Sequence, residues 1–366
     1  MSKECAQNIL LFTRTMGQGG TENVVLQLCE ILKSQKYNVI VGSCGGVNKT
    51  KLKELGIKHY MFPDITQKSP KSILEVIKQL KHIVKTEHIT IIHSHHRMAA
   101  FYTELLFRKN VIKVANAHNT FMDKRWLTKF AYHNTHVIAV GESVKENLVS
   151  FFDLKRNQIS VIHNTVKPFD GKSTVIKEFK EAKDAGYILV GNIGRLSDQK
   201  GMSYFIQASV KVLSVCPKTK FFIIGSGELE ADLKAQVKKL LPVGTLVFLG
   251  YRSDVQNVMS QLDFVVLSSL WEGFPLTPIE AFSVGKTVVA TAVDGTPEIV
   301  ADRENGLLVK PKDVDGLANA MIEIIEKKDK REQFEAAAYM RYQEMFSFEK
   351  MAKKYITFYK QLVGEI

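Results

Sequence analysis

Cysteine is scarce and unpatterned. Cys5, Cys29, Cys44 and Cys216 show no C-x-x-C spacing. The sequence therefore offers neither a disulfide framework nor a zinc site, and the thiols are expected to be reduced in a cytoplasmic protein. No apolar run approaches the ~18 residues of a membrane span. The first run, residues 9–12, is too short for a signal-peptide core and is followed by Arg14. With 23 Gly and 9 Pro in 366 residues, collagen-like and low-complexity classes are excluded. What is present is a globular balance, 45% hydrophobic and 24% charged, over a length that suits two or three domains. Acidic residues run short in one half only. The net charge is +12, and nearly all of the excess lies in residues 1–170. That field favours an anionic partner, whether nucleic acid, an acidic membrane surface or a phosphorylated substrate; solvated lysines on exposed faces are the plainer reading.

Short β-branched runs alternate with helix-period segments from end to end. Residues 8–13, 38–43, 90–93, 111–115, 136–140 and 159–163 predict strands, and 21–33 has helical spacing with Val24, Val25, Leu28, Ile31 and Leu32 on one face. The pattern breaks in the polar stretch 169–186 and restarts with strands at 187–193, 220–224, 245–249, 263–267, 287–290 and 306–309. Repeated strand–helix–strand units mean parallel sheets covered by helices on both faces. The expected organisation is a Rossmann-like domain over 1–168, a linker over 169–186, a second Rossmann-like domain over 187–346, and a final amphipathic helix over 347–366. Two such sheets facing across a cleft would bind ligand beyond the carboxyl ends of their strands.

Three motifs stand at such strand ends. In Ser268–Ala281, Glu272 and Glu280 flank a loop with seven residues between them, and a carboxylate can accept two hydrogen bonds from a sugar diol. Glu280 has a structural alternative, since Thr277-Pro278-Ile279-Glu280 spells a capping box. In Gly191–Gly201, three glycines accompany Arg195 and Lys200 before a helix start, an environment that suits a diphosphate. Gly17–Thr21 is a Gly-rich first turn, either a phosphate contact or a tight turn needing positive φ. His93 and His95 share one strand face and read as a polar wall or packed histidines, with no third and fourth ligand for zinc; His118 follows the next strand. Asp313-Val314-Asp315 matches D-x-D, yet it precedes a helix and reads as an N-cap.

In order and spacing, GQGGT, HSHH, AHNT, VIHNTV, GRLSDQKG, IIGSGE, FLGYRSDV, the Glu272/Glu280 pair, GTPEIV and FSFEKMAKKYITFYKQL resemble the retaining glycosyltransferases of family 4 along essentially the whole chain. The resemblance implies the GT-B fold, with the last helix crossing back to the N-terminal domain. It implies that Gly19 and Gly20 approach the donor phosphates, and that Arg195 and Lys200 grip the diphosphate in place of a metal. Glu280 would hold the ribose. Glu272 and the backbone of Gly273, Phe274, Pro275 and Leu276 would hold the sugar, and His118 would contact it near the reacting carbon. Gly250 and Tyr251 would flank the base. The chain departs from the family pattern at Thr165 and Thr90, positions without a chemical role.

The implied reaction is metal-independent transfer of a hexose or N-acetylhexosamine, with retention, from a nucleoside-diphosphate sugar (UDP first) to a glycan or lipid-linked acceptor in polysaccharide synthesis. No cofactor and no nucleic-acid partner are expected. The competing readings are a sugar-nucleotide epimerase, which would need no acceptor, a basic nucleic-acid-binding α/β protein and a catalytically dead partner subunit. Two basic, apolar segments are candidates for peripheral contact with an anionic inner membrane face: Lys71–Lys85, and Phe121–Tyr132 with Lys124, Arg125, Trp126 and Lys129. The apolar stripe of the first also suits packing on the sheet.

Overall fold

The computed structural model describes residues 7–108 and 110–366; Cys5 lies outside them. The chain divides into two units: one runs up to Asn164 and includes Met351–Ile366, the other is Thr165–Lys350.

The first unit holds seven strands, β1 (Asn8–Phe12), β2 (Asn38–Ser43), β3 (Lys58–Met61), β4 (Ile91–Ser94), β5 (Ile112–Ala117), β6 (His136–Ala139) and β7 (Ile159–Val161), in the order β3-β2-β1-β4-β5-β6-β7, every pair parallel. Strands buried on both faces read as unbroken apolar runs, and Ile9–Phe12 is fully buried. β3 escapes the sequence reading because it is an edge strand with no buried residue. The helix Pro70–Thr86 starts with Pro at its first position behind Ser69, whose hydroxyl accepts from Ser72 N at 3.1 Å. Its Val76, Leu80 and Ile83 pack with Leu10, Phe12 and Ile92. Most of its apolar face is thus spent on the sheet, and Leu74 alone of that stripe stays exposed.

The second unit holds β8 (Ile188–Ile193), β9 (Thr219–Ile224), β10 (Leu246–Gly250), β11 (Phe264–Leu267), β12 (Val288–Thr291) and β13 (Gly306–Val309), in the order β10-β9-β8-β11-β12-β13, again all parallel. Val190, Phe221, Phe264 and Val266 form its core with Phe205, Ile206, Leu317 and Met321 from flanking helices. The stretch 169–186 is not wholly a connection. It contains the helix Lys177–Asp184, which buries Phe179 and Ala182, and Phe179 meets Phe222 edge-on at 4.5 Å.

The helix Phe348–Leu362 buries Met351, Tyr355 and Tyr359, spaced by four and so stacked on one face. Met351 onward belongs to the first unit, and two hydroxyls tie it there. Asn116 Nδ2 donates to Tyr355 Oη at 2.7 Å, leaving Asn116 Oδ1 to accept from His93 Nε2 at 2.8 Å. The His93 proton is therefore on Nε2, and Nδ1 accepts from Tyr359 Oη at 2.6 Å. Every polar atom in this buried chain has one role. Among the described cysteines Cys29, Cys44 and Cys216 are free, and burial pushes the Cys29 thiol up to about 12.

Burial lowers the His93 and His96 imidazoles to about 4 and that of His118 to about 3. These groups bind protons more weakly folded than unfolded, so the unfolded chain gains protons first as pH falls below ~6.5. Their contribution to stability is complete above that pH and is lost as pH falls through about 4. Urea midpoints should therefore drop steadily from pH 6.5 to 4.5; a flat profile would show that the imidazoles are not held neutral.

Candidate active site

In a parallel sheet all carboxyl ends lie on one edge. In the second unit the strand order reverses between β8 and β11, the position beyond whose carboxyl ends sheets of this kind bind ligands. The loop after β8 carries Arg195 and Lys200. The loop after β11 carries Glu272 through Leu276. They are laced together: Leu270 N donates to Gln199 O at 2.7 Å, Gln199 Nε2 to Trp271 O at 3.0 Å, and Ser268 Oγ to Lys200 O at 3.0 Å. Gly201 has φ +57, and a Cβ there would stand 2.2 Å from Ser268 O, so no other residue fits.

Within this lacing Lys200 Nζ meets Glu272 Oε1 at 2.5 Å, with the two side chains 17% and 6% exposed. Ser269 Oγ donates to the same carboxylate oxygen at 2.6 Å. Glu272 N donates to Asp294 Oδ2 at 2.7 Å, and Gly295 N to Gly273 O at 3.1 Å, which clamps the loop to the turn after β12. Arg195 sits at the rim, 73% exposed, 3.3 Å from Glu228.

Glu280 is half-buried on the helix Leu276–Ser283. The capping-box reading is overturned. The helix begins at Leu276 behind an extended Pro275, and no side chain caps it. Thr277 is inside the helix, and Glu280 lies two residues past the position from which a side chain could reach back to the cap. Pro278 is tolerated because the first-turn amides lack intrahelical acceptors anyway. Burial raises the Glu280 carboxyl to about 7, with Lys200 opposing the shift. On the far side of β8, Gly225 abuts Gly194 so closely that a Cβ would lie 1.9 Å from Gly194 O. Gly225 N donates to Gly250 O at 2.8 Å, and Tyr251 is half exposed beside it. Arg195, Lys200, Gly250, Tyr251, Glu272–Leu276 and Glu280 thus share one edge of one sheet.

Gly19, Gly20 and His118 belong to the first unit and lie at the carboxyl edge of its sheet. Gly19 is an extended residue (φ −179) before the helix Gly20–Ser34, and a Cβ on it would meet only the Glu22 side chain. None of Gly17, Gln18, Gly19 and Gly20 has positive φ, which removes the tight-turn reading. The demanding glycines are Gly45 and Gly46, where a Cβ on Gly46 would strike Met16 backbone at 2.4 Å. His118 is half-buried, 3.3 Å from His95. Asp313 Oδ1 accepts from Gly316 N at 2.8 Å, as an N-cap does, and Asp315 pairs with Lys211. Among the described residues no three His, Cys, Asp or Glu side chains are grouped to hold a metal ion.

Sequence reading missed Ser269, Asp294, Gln199 and the His95 contact. Ser269 stands in the quoted motif, and Asp294 directly precedes GTPEIV; their partners are set by the fold and leave no local signal.

A family profile described as "Glycosyltransferase Family 4" matches residues 18–168, and one described as "Glycosyl transferases group 1" matches 174–341. An Escherichia coli protein named UDP-Gal:alpha-D-GlcNAc-diphosphoundecaprenol alpha-1,3-galactosyltransferase is 26% identical over 346 residues, covering 84% of this chain and 85% of its own. The Saccharomyces cerevisiae phosphatidylinositol N-acetylglucosaminyltransferase GPI3 subunit is 26% identical over 303 residues, 77% of this chain and 67% of that one. A Rickettsia africae glycosyltransferase structure superposes with TM-score 0.83 at 20% identity, over 98% of this chain and 99% of that one. Anabaena HepE in complex with UDP gives 0.81 at 22%, over 97% and 100%. Both halves of the chain match the profiles in order, each on its own parallel sheet, and the chain therefore belongs to the family 4 glycosyltransferases of GT-B fold and is a glycosyl-transferring enzyme.

Proposed function

We propose that the protein transfers a hexose or N-acetylhexosamine from UDP to a hydroxyl of a glycan or lipid-linked acceptor, with retention and without a metal ion. The observation that carries this is the Lys200–Glu272 pair at the strand-order reversal, with Arg195 open at its rim. A diphosphate takes the two cations, and a sugar hydroxyl takes the carboxylate. UDP and a lipid diphosphate acceptor appear in the name of the Escherichia coli relative, which supports this choice of donor and acceptor.

In this reading Glu280 accepts from the ribose hydroxyls, Gly250 and Tyr251 flank the uracil, and the amides of Gly273–Leu276 face the sugar with Glu272. Gly19 and Gly20 approach the phosphates, and His118 the sugar. The bond from the anomeric carbon to the diphosphate oxygen breaks, and the acceptor oxygen forms its bond on the same face. The acceptor proton passes to the departing diphosphate. Negative charge grows on that leaving group, so Arg195 and Lys200 act most in the transition state.

A peripheral membrane role is part of the same proposal. No helix among the described residues is long and apolar enough to cross a membrane. Trp126 and Met122 are 75% and 74% exposed, and Trp126 stacks on Phe130 at 5.9 Å. Arg125 and Lys129 share Asp153, and Arg97 and Lys124 share Asp123 at 2.9 and 3.7 Å, so four cations meet two carboxylates there. Lys71, Lys78, Lys81 and Lys85 are exposed on the helix Pro70–Thr86.

Three measurements test these readings. Glu272→Ala and Lys200→Ala should each lower turnover of a UDP-sugar by ~10²–10³-fold with far-ultraviolet circular dichroism unchanged, and EDTA should leave the wild-type rate intact; full activity in both variants ends the mechanism. UDP should bind more tightly as pH rises through about 7, because the ribose prefers ionised Glu280. Glu280→Gln should weaken binding and shrink that dependence, and an unaltered profile would remove Glu280 from the ribose site. Vesicles rich in anionic lipid should sediment the protein at low salt and release it at high salt, less of it for Trp126→Ala; no sedimentation at low salt rules out the membrane surface.

A further inference from the structure

His95 follows β4, and its amide donates to Phe12 O at 2.8 Å, so the sheet fixes its place. Its ring is buried, stacks on His93 at 4.4 Å between centroids, and sets Nδ1 3.3 Å from His118 Nε2. The contact requires one proton between the two nitrogens. His95 Nε2 is buried and has no hydrogen-bond partner among the described residues.

Two arrangements are available. If His118 donates from Nε2, the His95 proton must sit on Nε2, as a buried N–H with no acceptor. If His95 donates from Nδ1, Nε2 carries only a lone pair. A buried donor without an acceptor is the rarer and costlier defect. Neither ring resolves the conflict by taking a second proton, because burial holds both well below the usual histidine range. The neighbouring His93 offers no alternative acceptor, since both of its nitrogens are engaged by Tyr359 and Asn116.

We propose that His95 is a positioning residue: it donates Nδ1–H to His118 Nε2 and thereby fixes the His118 proton on Nδ1. His118 is the half-buried member of the pair, so the group it offers outside the cluster is a neutral N–H donor, suited to a sugar oxygen and unable to act as a base. The consequence for turnover rests on the proposed role of His118 as a sugar contact; the tautomer itself does not.

Two-dimensional 15N–1H spectra of histidine-labelled enzyme at pH 7.5, with and without UDP, read the tautomer directly. The expected result is a wild-type His118 proton on Nδ1, retained in His95→Asn, whose amide can donate from the position of Nδ1. His95→Leu should let the proton redistribute. Loss of this one neutral hydrogen bond should lower kcat roughly tenfold with donor KM little changed, and His95→Asn should restore most of it. A wild-type proton on His118 Nε2 overturns the proposal even if His95→Leu fails to fold, and so does a His95→Leu enzyme whose His118 tautomer is unchanged. Full activity in His118→Ala would instead remove the proposed role of His118 in transfer and leave the tautomer assignment standing.

Discussion

The loops at the carboxyl edge of the second sheet are held together because backbones there touch without side chains between them. A Cβ on Gly201 would collide with Ser268 O, one on Gly225 with Gly194 O, and one on Gly295 with Gly273 O. These three contacts set the separation of the loops after β8, β9, β11 and β12. With the backbones so close, Gln199, Ser268 and Asp294 can complete the stitching through hydrogen bonds of 2.7–3.0 Å. A framework of this kind fixes where Lys200 and Glu272 stand.

The two charged groups it holds are each other's partner. Glu272 is nearly buried, and an unpaired carboxylate there would be costly. In the proposed reading, a ligand carrying both a diphosphate and hydroxyls would replace both halves of the pair at once. Neither charge would then be left bare, so the ion pair is compatible with that reading. A phosphate alone would draw Lys200 away and leave Glu272 only the Ser269 hydroxyl as a side-chain donor, so the proposed site would favour molecules that carry both chemistries.

Much of the fold was legible in the sequence because parallel strands buried on both faces are built on apolar runs, as β1, β2, β8, β9 and β11 are at residues 9–12, 39–41, 188–190, 221–224 and 264–267. β3 was not, since an edge strand reading Lys58-His59-Tyr60-Met61 carries no such signal. The helix Lys177–Asp184 hid behind its charges, with only Phe179 and Ala182 facing inward. Arg195, Lys200, Glu272 and Glu280 could be picked out as charges beside glycine and proline at strand ends. The capping box at Thr277 misled because local spelling cannot say where a helix starts when Pro275 precedes it. Lys200 and Asp294, which meet Glu272, and His95, which meets His118, come from other strand ends, and sequence spacing does not encode such contacts.

The path of the chain bears on how the molecule is made. The first unit recruits Met351–Ile366 after all of Thr165–Lys350 has been laid down. During synthesis its sheet can assemble early, yet His93 and Asn116 wait for Tyr355 and Tyr359, the last of its buried polar partners to leave the ribosome. Until then a half-finished polar seam stays wet beside an otherwise complete core. Vectorial translation therefore closes the first-made half last.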